Sequence, residues 1–191
     1  MIRTEVDRSL VDAARRMDGD ALVEIFDLFA PALYRYAFRL CRDALMADHI
    51  VGDVFAKLME HLSAGKGPST NLRSYLYEIA YHLVLDEAEY SHRAAPIEVV
   101  DFIQYDAYPT YVRVENRILF ESVLQAMQNR LTDYQRHVLI LRLLEGFSVK
   151  ETAAIVGKKA GAVKVAQTRA LAILREALVH PVVEANTFPG E

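Results

Sequence analysis

The sequence predicts an all-α fold of two small helical domains joined by an irregular acidic linker. Apolar residues recur at spacings of three and four along most of the 191-residue chain, which is the period of amphipathic helices. This periodicity fails between Ala94 and Thr110, where two prolines and scattered acids stand. The predicted boundaries are a helical domain over 1–93, a linker over 94–112, a second helical domain over 113–180 and a flexible tail over 181–191.

Composition is typical of a soluble globular protein, with 52% hydrophobic and 25% charged residues. No apolar run approaches the roughly 18 residues that a membrane span needs. The N-terminal stretch MIRTEVDRSLVDAARRMDGD is too charged for a signal peptide. We therefore expect a cytoplasmic protein with no membrane insertion. Cys41 can form no internal disulfide and is expected to be a small core residue, with a redox role as the alternative.

Three amphipathic helices are predicted in the first domain. DALVEIFDLFAPALYRYAFRL carries one apolar stripe from Leu22 to Leu40, and Pro31 predicts that this helix bends or splits in two. ALMADHIVGDVFAKLMEHL repeats the pattern with charged residues on its outer face. After the glycine-containing loop SAGKGPST, NLRSYLYEIAYHLVLDEAEY supplies the third apolar stripe.

Helix-start signals organise the second domain. A helix is expected to resume near Tyr111. Thr132 with Gln135 three residues later forms a capping-box pattern, and so does Ser148 with Glu151. Each pair stands where the apolar period independently predicts that a helix begins.

Residues 148–178 have the pattern of a helix-turn-helix. Ser148 would cap a helix from Val149 to Val156, and Gly157 suits the left-handed conformation that ends a helix. A second helix is expected to begin near Gly161, and alanines on both helices would let them cross closely. In this geometry the N-terminal end of the second helix enters a major groove.

The charge distribution favours DNA binding at this end of the chain. Residues 131–180 hold 8 Lys and Arg against 4 Asp and Glu, whereas residues 1–93 hold 11 against 15. Lys158, Lys159 and Lys164 can neutralise phosphates, and Gln167 is the best candidate for a contact to a base edge. The alternative is a helical hairpin with a solvated basic face.

The stretch LTDYQRHVLILRLLEGFSVKETAAIVGKKAGAVKVAQTRALAILREAL resembles region 4 of bacterial sigma factors of the extracytoplasmic-function group, which reads the −35 promoter element. Response regulators carry a similar helix-turn-helix. However, ALYRYAFRLCRDALMADHIVGDVFAKLMEHL followed by NLRSYLYEIAYHLVLDEA resembles sigma region 2, which binds the polymerase clamp and captures the melted −10 element. The resemblance covers roughly residues 20–93 and 115–180.

The resemblance implies two sets of DNA contacts. The −35 set comprises Lys158, Lys159, Lys164, Gln167, Thr168 and Arg169. The −10 set comprises Asn71, Arg73, Tyr75, Tyr81 and His82, whose tyrosines could stack on an unpaired base or simply pack on the helix surface. Because the family usually has several arginines here and this chain has DEAEYSHR instead, the phosphate contribution to affinity should be low on this side.

The resemblance also implies a polymerase contact on the helix over 45–62, at the positions Asp48, His49, Gly52 and Asp53. His49 and Gly52 depart from the family pattern, and a glycine within a helix costs roughly 1 kcal/mol relative to alanine. Gly52 therefore either weakens the helix or permits close approach of a partner. Leu139 and Leu143 of the 133–145 helix are expected in the core. The resemblance also implies a contact with the polymerase flap, which the sequence does not locate.

We expect no enzyme activity, cofactor or metal site. The sequence contains no GxxxxGK loop and no HExxH motif, and His82 and His92 have no companions at metal-ligand spacing. The resemblance implies a sigma factor that directs core RNA polymerase to promoter DNA, is nucleoid-associated when bound to polymerase, and is restrained by an anti-sigma factor. The alternatives are a helix-turn-helix regulator that does not direct initiation and a sigma-like adaptor.

Overall fold

The computed structural model describes residues 8–68, 71–91 and 122–179, and every regular element within these ranges is a helix. The all-α prediction is therefore confirmed. The predicted linker over 94–112 and tail over 181–191 lie outside the described residues.

Residues 8–91 form the N-terminal bundle. Its second and third helices begin at aspartate caps, because Asp18 accepts a hydrogen bond from the backbone of Ala21 at 3.0 Å and Asp43 from that of Met46 at 2.9 Å. The second helix ends where Arg42 adopts φ 58°, a left-handed conformation that stops a helix. The four helices are α1 (Arg8–Arg15), α2 (Gly19–Cys41), α3 (Ala44–Ser63) and α4 (Leu72–Ser91).

Pro31 does not split α2, which runs unbroken from Gly19 to Cys41. The predicted stripe on this helix is largely confirmed, since Ile25, Phe29 and Leu33 are buried. Phe26 is the exception. It is 46% exposed and its ring packs against that of Phe55 with centroids 4.8 Å apart, because the buried face is narrower than the apolar pattern.

Residues 122–179 form the C-terminal unit. The described part of its first helix, α5, covers 122–130. It is followed by α6 (Asp133–Leu139), a π-helical turn (Ile140–Leu144), α7 (Val149–Ile155) and α8 (Ala160–Val179). Both predicted capping boxes are confirmed, because the side chain and backbone of Thr132 pair with Gln135 and those of Ser148 with Glu151.

The predicted 133–145 helix is not a continuous α-helix. Beyond Leu139 its hydrogen bonding widens, and the backbone N–H of Glu145 donates to the carbonyl of Ile140 at 2.9 Å. Leu139 is buried as predicted, whereas Leu143 is 53% exposed, so its predicted core position is wrong. The wider turn inserts extra residues into the helical register, which leaves Leu143 facing solvent and Glu145 buried.

The two domains pack directly on each other. Helix α4 contacts α7, and the buried apolar residues of both domains form one continuous core. Tyr36, Tyr77, Phe147 and Ile155 are among its largest fully buried side chains. The boundary between the domains is therefore an extension of the core, which the apolar periods of the separate helices did not predict.

Candidate nucleic-acid interface

Helices α7 and α8 have the geometry of a helix-turn-helix. Helix α7 ends at Ile155, one residue earlier than predicted, and Gly157 then takes φ 61°. A side chain at this angle is strained, which explains the glycine. The second helix begins at Ala160 and packs on α7. Val163, Ala166 and Ala170 of the predicted inner stripe are buried.

Five of the six predicted −35 residues lie on an exposed surface at the turn and the first half of α8. They are Lys158, Lys159, Lys164, Thr168 and Arg169. Positive side chains around a helix N-terminus can contact phosphates on both sides of a groove. Because these side chains are exposed, the surface is sterically open to a nucleic acid.

Gln167 is placed differently from the other five. It is half-buried, and its Oε1 accepts a hydrogen bond from Arg142 Nε at 3.1 Å. Arg142 Nη1 also donates to the carbonyl of Phe147, which ties α8 to the turn before α7. Reading adenine by a bidentate contact needs both the donor and the acceptor of a glutamine amide, and here Arg142 occupies one of the two lone pairs of the acceptor oxygen.

The predicted −10 residues lie on α4 and at its start, but they do not share one free surface. Arg73 is 9% and Tyr81 6% exposed, both against the C-terminal unit. Asn71 caps α4 and donates to Glu151 Oε1 at 3.4 Å. Tyr75 is half-buried with its hydroxyl 2.5 Å from His61 Nδ1, and burial raises the pKa of that hydroxyl. His82 is exposed.

Glu145 lies at the centre of the contact between the domains and is 9% exposed. Its Oε1 accepts from Arg39 Nη1 at 2.8 Å, and its Oε2 accepts from the Tyr77 hydroxyl at 2.6 Å. The Arg73 guanidinium donates to its backbone carbonyl. A buried carboxylate is tolerated when it is paired and hydrogen-bonded in this way.

His137 forms a second polar contact between the domains. It is buried, its Nδ1 lies 2.7 Å from the Tyr36 hydroxyl, and its ring meets that of Tyr81 with centroids 4.8 Å apart. Burial, with a smaller contribution from neighbouring Arg136, lowers the pKa of His137 to about 3. The imidazole is therefore neutral at pH 7.

Sequence reasoning missed these contacts between the domains. A signal was present, because His137 and Glu145 flank the run VLILRLL, which is too continuous for a single apolar face. A polar residue beside such a run is expected to be buried and to need a partner. We define the interdomain seam as Tyr36, Arg39, Arg73, Tyr77 and Tyr81 of the N-terminal bundle with His137, Glu145 and Phe147 of the C-terminal unit.

The predicted polymerase-contact residues share the outer face of α3. Asp48, His49, Gly52 and Asp53 are all exposed. A Cβ built at Gly52 would meet no described atom within 4 Å, so packing among the described residues does not require a glycine there. Exposed Met59 extends the same helix with apolar surface.

The C-terminal unit also carries an apolar groove of about 380 Å³ between α5, the π-helical turn and α8. Leu143, Leu144, Leu171 and Leu178 line it and are each at least 40% exposed.

Within the described ranges, no cluster of three or more His, Cys, Asp or Glu side chains is arranged to hold a metal ion. No helix in the part of the chain that the structure describes is long and apolar enough to cross a membrane.

Comparisons with known proteins match both domains. Residues 25–93 match the family model for sigma-70 region 2, and residues 122–174 match that for sigma-70 region 4. The sigma factor SigD of Mycobacterium tuberculosis is 33% identical over 171 residues, covering 85% of this chain and 79% of SigD. BldN of Streptomyces coelicolor is 27% identical over 172 residues, covering 88% of this chain but only 64% of BldN.

Among solved structures, the fold resembles the sigma factor RpoE in complex with the anti-sigma factor NepR from Bartonella quintana. The TM-score is 0.64 at 24% sequence identity, and the match covers 82% of this chain and 95% of RpoE. This likeness concerns the fold.

Proposed function

Because the chain belongs to the family of ECF RNA polymerase sigma factors, we propose that it directs core RNA polymerase to specific promoters and initiates transcription there. The observation that carries the proposal is the presence, in one chain, of a region 2 bundle and a region 4 helix-turn-helix with an open basic surface. The protein would supply promoter recognition, while the polymerase supplies the chemistry. Bound to polymerase, it would be nucleoid-associated.

We assign −35 recognition to the exposed surface of α8. Lys158, Lys159 and Lys164 would neutralise phosphates, while Thr168 and Arg169 lie farther along the helix that enters the groove. Gln167 would join them most directly through its NH₂ group, since its carbonyl oxygen already accepts one hydrogen bond from Arg142. An amide donor alone favours base acceptors such as guanine O6 or thymine O4.

We assign −10 capture to α4. Asn71, Arg73, Tyr75, Tyr81 and His82 combine two aromatic faces with few charges, which suits an unpaired base held by stacking. Arg73 and Tyr81 are covered in this conformation, so the role requires the domains to separate.

Polymerase docking is assigned to two surfaces. The outer face of α3 presents the carboxylates of Asp48 and Asp53, with His49 and Gly52 between them. The apolar groove of the C-terminal unit offers a binding site for an amphipathic helix such as that of the polymerase flap. Two separated contacts would hold the factor at both promoter elements.

An anti-sigma factor is a further proposed partner. The likeness to RpoE solved with NepR supports it, because this chain shares the fold that NepR binds in that complex.

Reconstituted transcription tests the proposed function. The purified chain is combined with bacterial core RNA polymerase on genomic fragments, and run-off products are sequenced, with core polymerase alone as the control. Discrete start sites that need the chain are expected. Core binding without start sites would favour a sigma-like adaptor, and an absence of core binding would leave a helix-turn-helix regulator.

A further inference from the structure

Tyr75 differs from Tyr81, the other tyrosine of the −10 set, in the part of the molecule that it contacts. Tyr81 is buried and its ring meets that of His137 in the C-terminal unit. Tyr75 lies two positions after Arg73 on α4, and residues two apart do not share a face of a helix. The hydroxyl and the ring of Tyr75 both contact His61, in the last turn of α3. The end of α3 therefore forms part of the surroundings of one −10 candidate.

His61 contacts the hydroxyl end of the Tyr75 ring and not its face. The hydroxyl oxygen lies 2.5 Å from His61 Nδ1, and the ring centroids are 6.0 Å apart with an angle of 65° between the ring planes. An imidazole stacked on the tyrosine would lie nearly parallel to it. His61 thus fixes the direction of the ring, while its own atoms cover neither face, and Tyr75 is only half-buried.

The hydrogen bond suits a tyrosine that stays neutral. Burial, with a smaller contribution from Glu78, raises the pKa of the Tyr75 hydroxyl, so this group is protonated at pH 7. A protonated hydroxyl can donate to a bare imidazole nitrogen or accept from an imidazole N–H, so it pairs with Nδ1 in either tautomer. A neutral ring also adds no repulsion towards the phosphates of a DNA strand.

His61 is itself held by the turn that ends α3. The backbone N–H of Lys66 donates to the carbonyl of His61 at 2.7 Å, and Gly65 takes φ 71° in the turn between them. The next residue of the loop is tied to α1, because Arg15 Nη2 donates to the carbonyl of Gly67 at 3.1 Å. A side chain can orient its neighbour only when its own backbone is fixed, and these contacts supply that support.

A ring that is fixed before binding holds a base more tightly than a ring that binding must first order. Ordering one mobile side chain at an interface lowers affinity by about two- to tenfold. Stacking of bases on aromatic side chains tolerates any base, because every base has a flat face. The orientation of Tyr75 would therefore set how tightly an unpaired base is held, whichever base it is.

We propose that His61 is a positioning residue for −10 capture, which holds Tyr75 by its hydroxyl so that a face of the ring receives an unpaired base of the melted promoter strand. The proposal rests on the proposed function, because it concerns the −10 surface of α4. His82 lies seven positions after Tyr75, two helical turns along the same face, and is exposed. A base held on Tyr75 then lies on the same side of α4 as His82.

The test measures how the complete holoenzyme binds a single-stranded −10 segment. The probe is an oligonucleotide with the non-template −10 sequence of a promoter found by the run-off assay, labelled with fluorescein and carrying one 2-aminopurine. Anisotropy measures the affinity, and quenching of the 2-aminopurine reports stacking. We expect His61→Ala to weaken binding about two- to tenfold and to reduce the quenching. Affinities for core polymerase and for −35 duplex should stay at the wild-type values.

His61→Asn and Ser63→Ala are the matched controls. An amide offers a donor and an acceptor close to the position of Nδ1, so His61→Asn should restore binding to within about twofold of the wild type. Ser63 is exposed in the same last turn of α3, and Ser63→Ala should bind as the wild type does. Equal losses in Ser63→Ala and His61→Ala would show an effect of truncating the helix end and would overturn the proposal.

Tyr75→Phe removes the hydroxyl but keeps the ring, and it completes a double-mutant cycle with His61→Ala. If His61 acts through Tyr75, each single variant loses affinity by the same factor and the double variant loses no more. Losses that multiply, or wild-type binding by either single variant, overturn the proposal. Circular dichroism checks folding, and Tyr75→Phe carries the test alone if His61→Ala does not fold.

The role of His61 and the proposed function fail in different ways. If the wild type starts no transcripts with core polymerase, the proposed function falls, and the role of His61 falls with it. If the wild type is active and binds the probe, and His61→Ala binds the probe equally well, only the role of His61 falls.

Discussion

Helices α4 and α8 are both assigned to promoter DNA, yet they are presented in opposite ways. The predicted contact residues of α8 are exposed except for Gln167, whereas Arg73 and Tyr81 of α4 are buried under the C-terminal unit. The helix with the basic surface is exposed, and the helix with few charges is covered. Promoter reading by this chain would thus be ordered, with −35 contact possible before −10 capture.

Arg39→Met should break the seam and leave α8 intact. The substitution keeps an apolar stem but leaves Glu145 buried without its ion partner. Breaking a buried pair costs about 3–5 kcal/mol, and because the side chain of Arg39 is 19% exposed we expect about 2 kcal/mol. Urea denaturation followed by circular dichroism measures the loss.

Arg16→Met is the control for this change, since Arg16 is exposed at the end of α1. Affinity for duplex promoter DNA should be unchanged in Arg39→Met. A stability loss no greater than that of Arg16→Met would mean that the pair contributes nothing to the contact between the domains.

Lys164→Glu should do the reverse and impair α8 while leaving the seam closed. Replacing a phosphate contact with a like charge should weaken binding to promoter duplex by about tenfold or more and reduce the salt slope by about one unit. Fluorescence anisotropy over a range of salt concentrations measures both quantities. Lys66→Glu, at an exposed loop position of the N-terminal bundle, is the matched charge reversal. Equal losses in the two variants would show a general charge effect.

The sequence predicted the features of this comparison that are encoded locally. Both capping boxes and the left-handed Gly157 depend on residues within a few positions of each other, and all three are confirmed. The buried stripes of α2 and α3 followed from the helical period for the same reason.

The contacts that cover α4 are made by residues far away in the sequence. Arg73 pairs with Glu145, 72 positions away, and Tyr36 with His137, 101 positions away. The helical repeat relates residues three or four positions apart, so it cannot predict a contact over such a distance. The exposure of Leu143 was missed because the π-helical turn changes the register that the period assumes.

Acidification should weaken the seam through His137. Its pKa is lowered to about 3 in the closed state by burial and by Arg136, whereas an exposed imidazole titrates near 6.5. The open or unfolded chain therefore binds the extra proton, and stability falls as the pH drops below about 6.5 and continues to fall towards pH 3. We expect a loss of about 1 kcal/mol between pH 6.5 and 5.5.

Other groups titrate in the same pH range. The contribution of His137 is therefore the difference in the pH dependence of stability between the wild type and His137→Asn. The groups that face the imidazole are the Tyr36 hydroxyl, the Tyr81 ring and Arg136. His49→Asn, at an exposed position on α3, is the control. Identical pH profiles of stability for the wild type and His137→Asn would contradict the prediction.

Gly52→Ala has a small expected effect on stability, and it tests a surface outside both DNA helices. Alanine should stabilise α3 by about 1 kcal/mol, because a Cβ at this position meets open space and the helix loses a flexible residue. If Gly52 instead permits close approach of the polymerase to the α3 backbone, the same methyl group should weaken core binding severalfold. Thermal denaturation and competition for core polymerase measure the two effects separately.

Ala56→Gly, on the exposed face one turn later, is the inverse control and should destabilise α3 without relieving any steric contact at position 52. A more stable Gly52→Ala that binds core polymerase as well as the wild type would mean that the glycine merely weakens the helix.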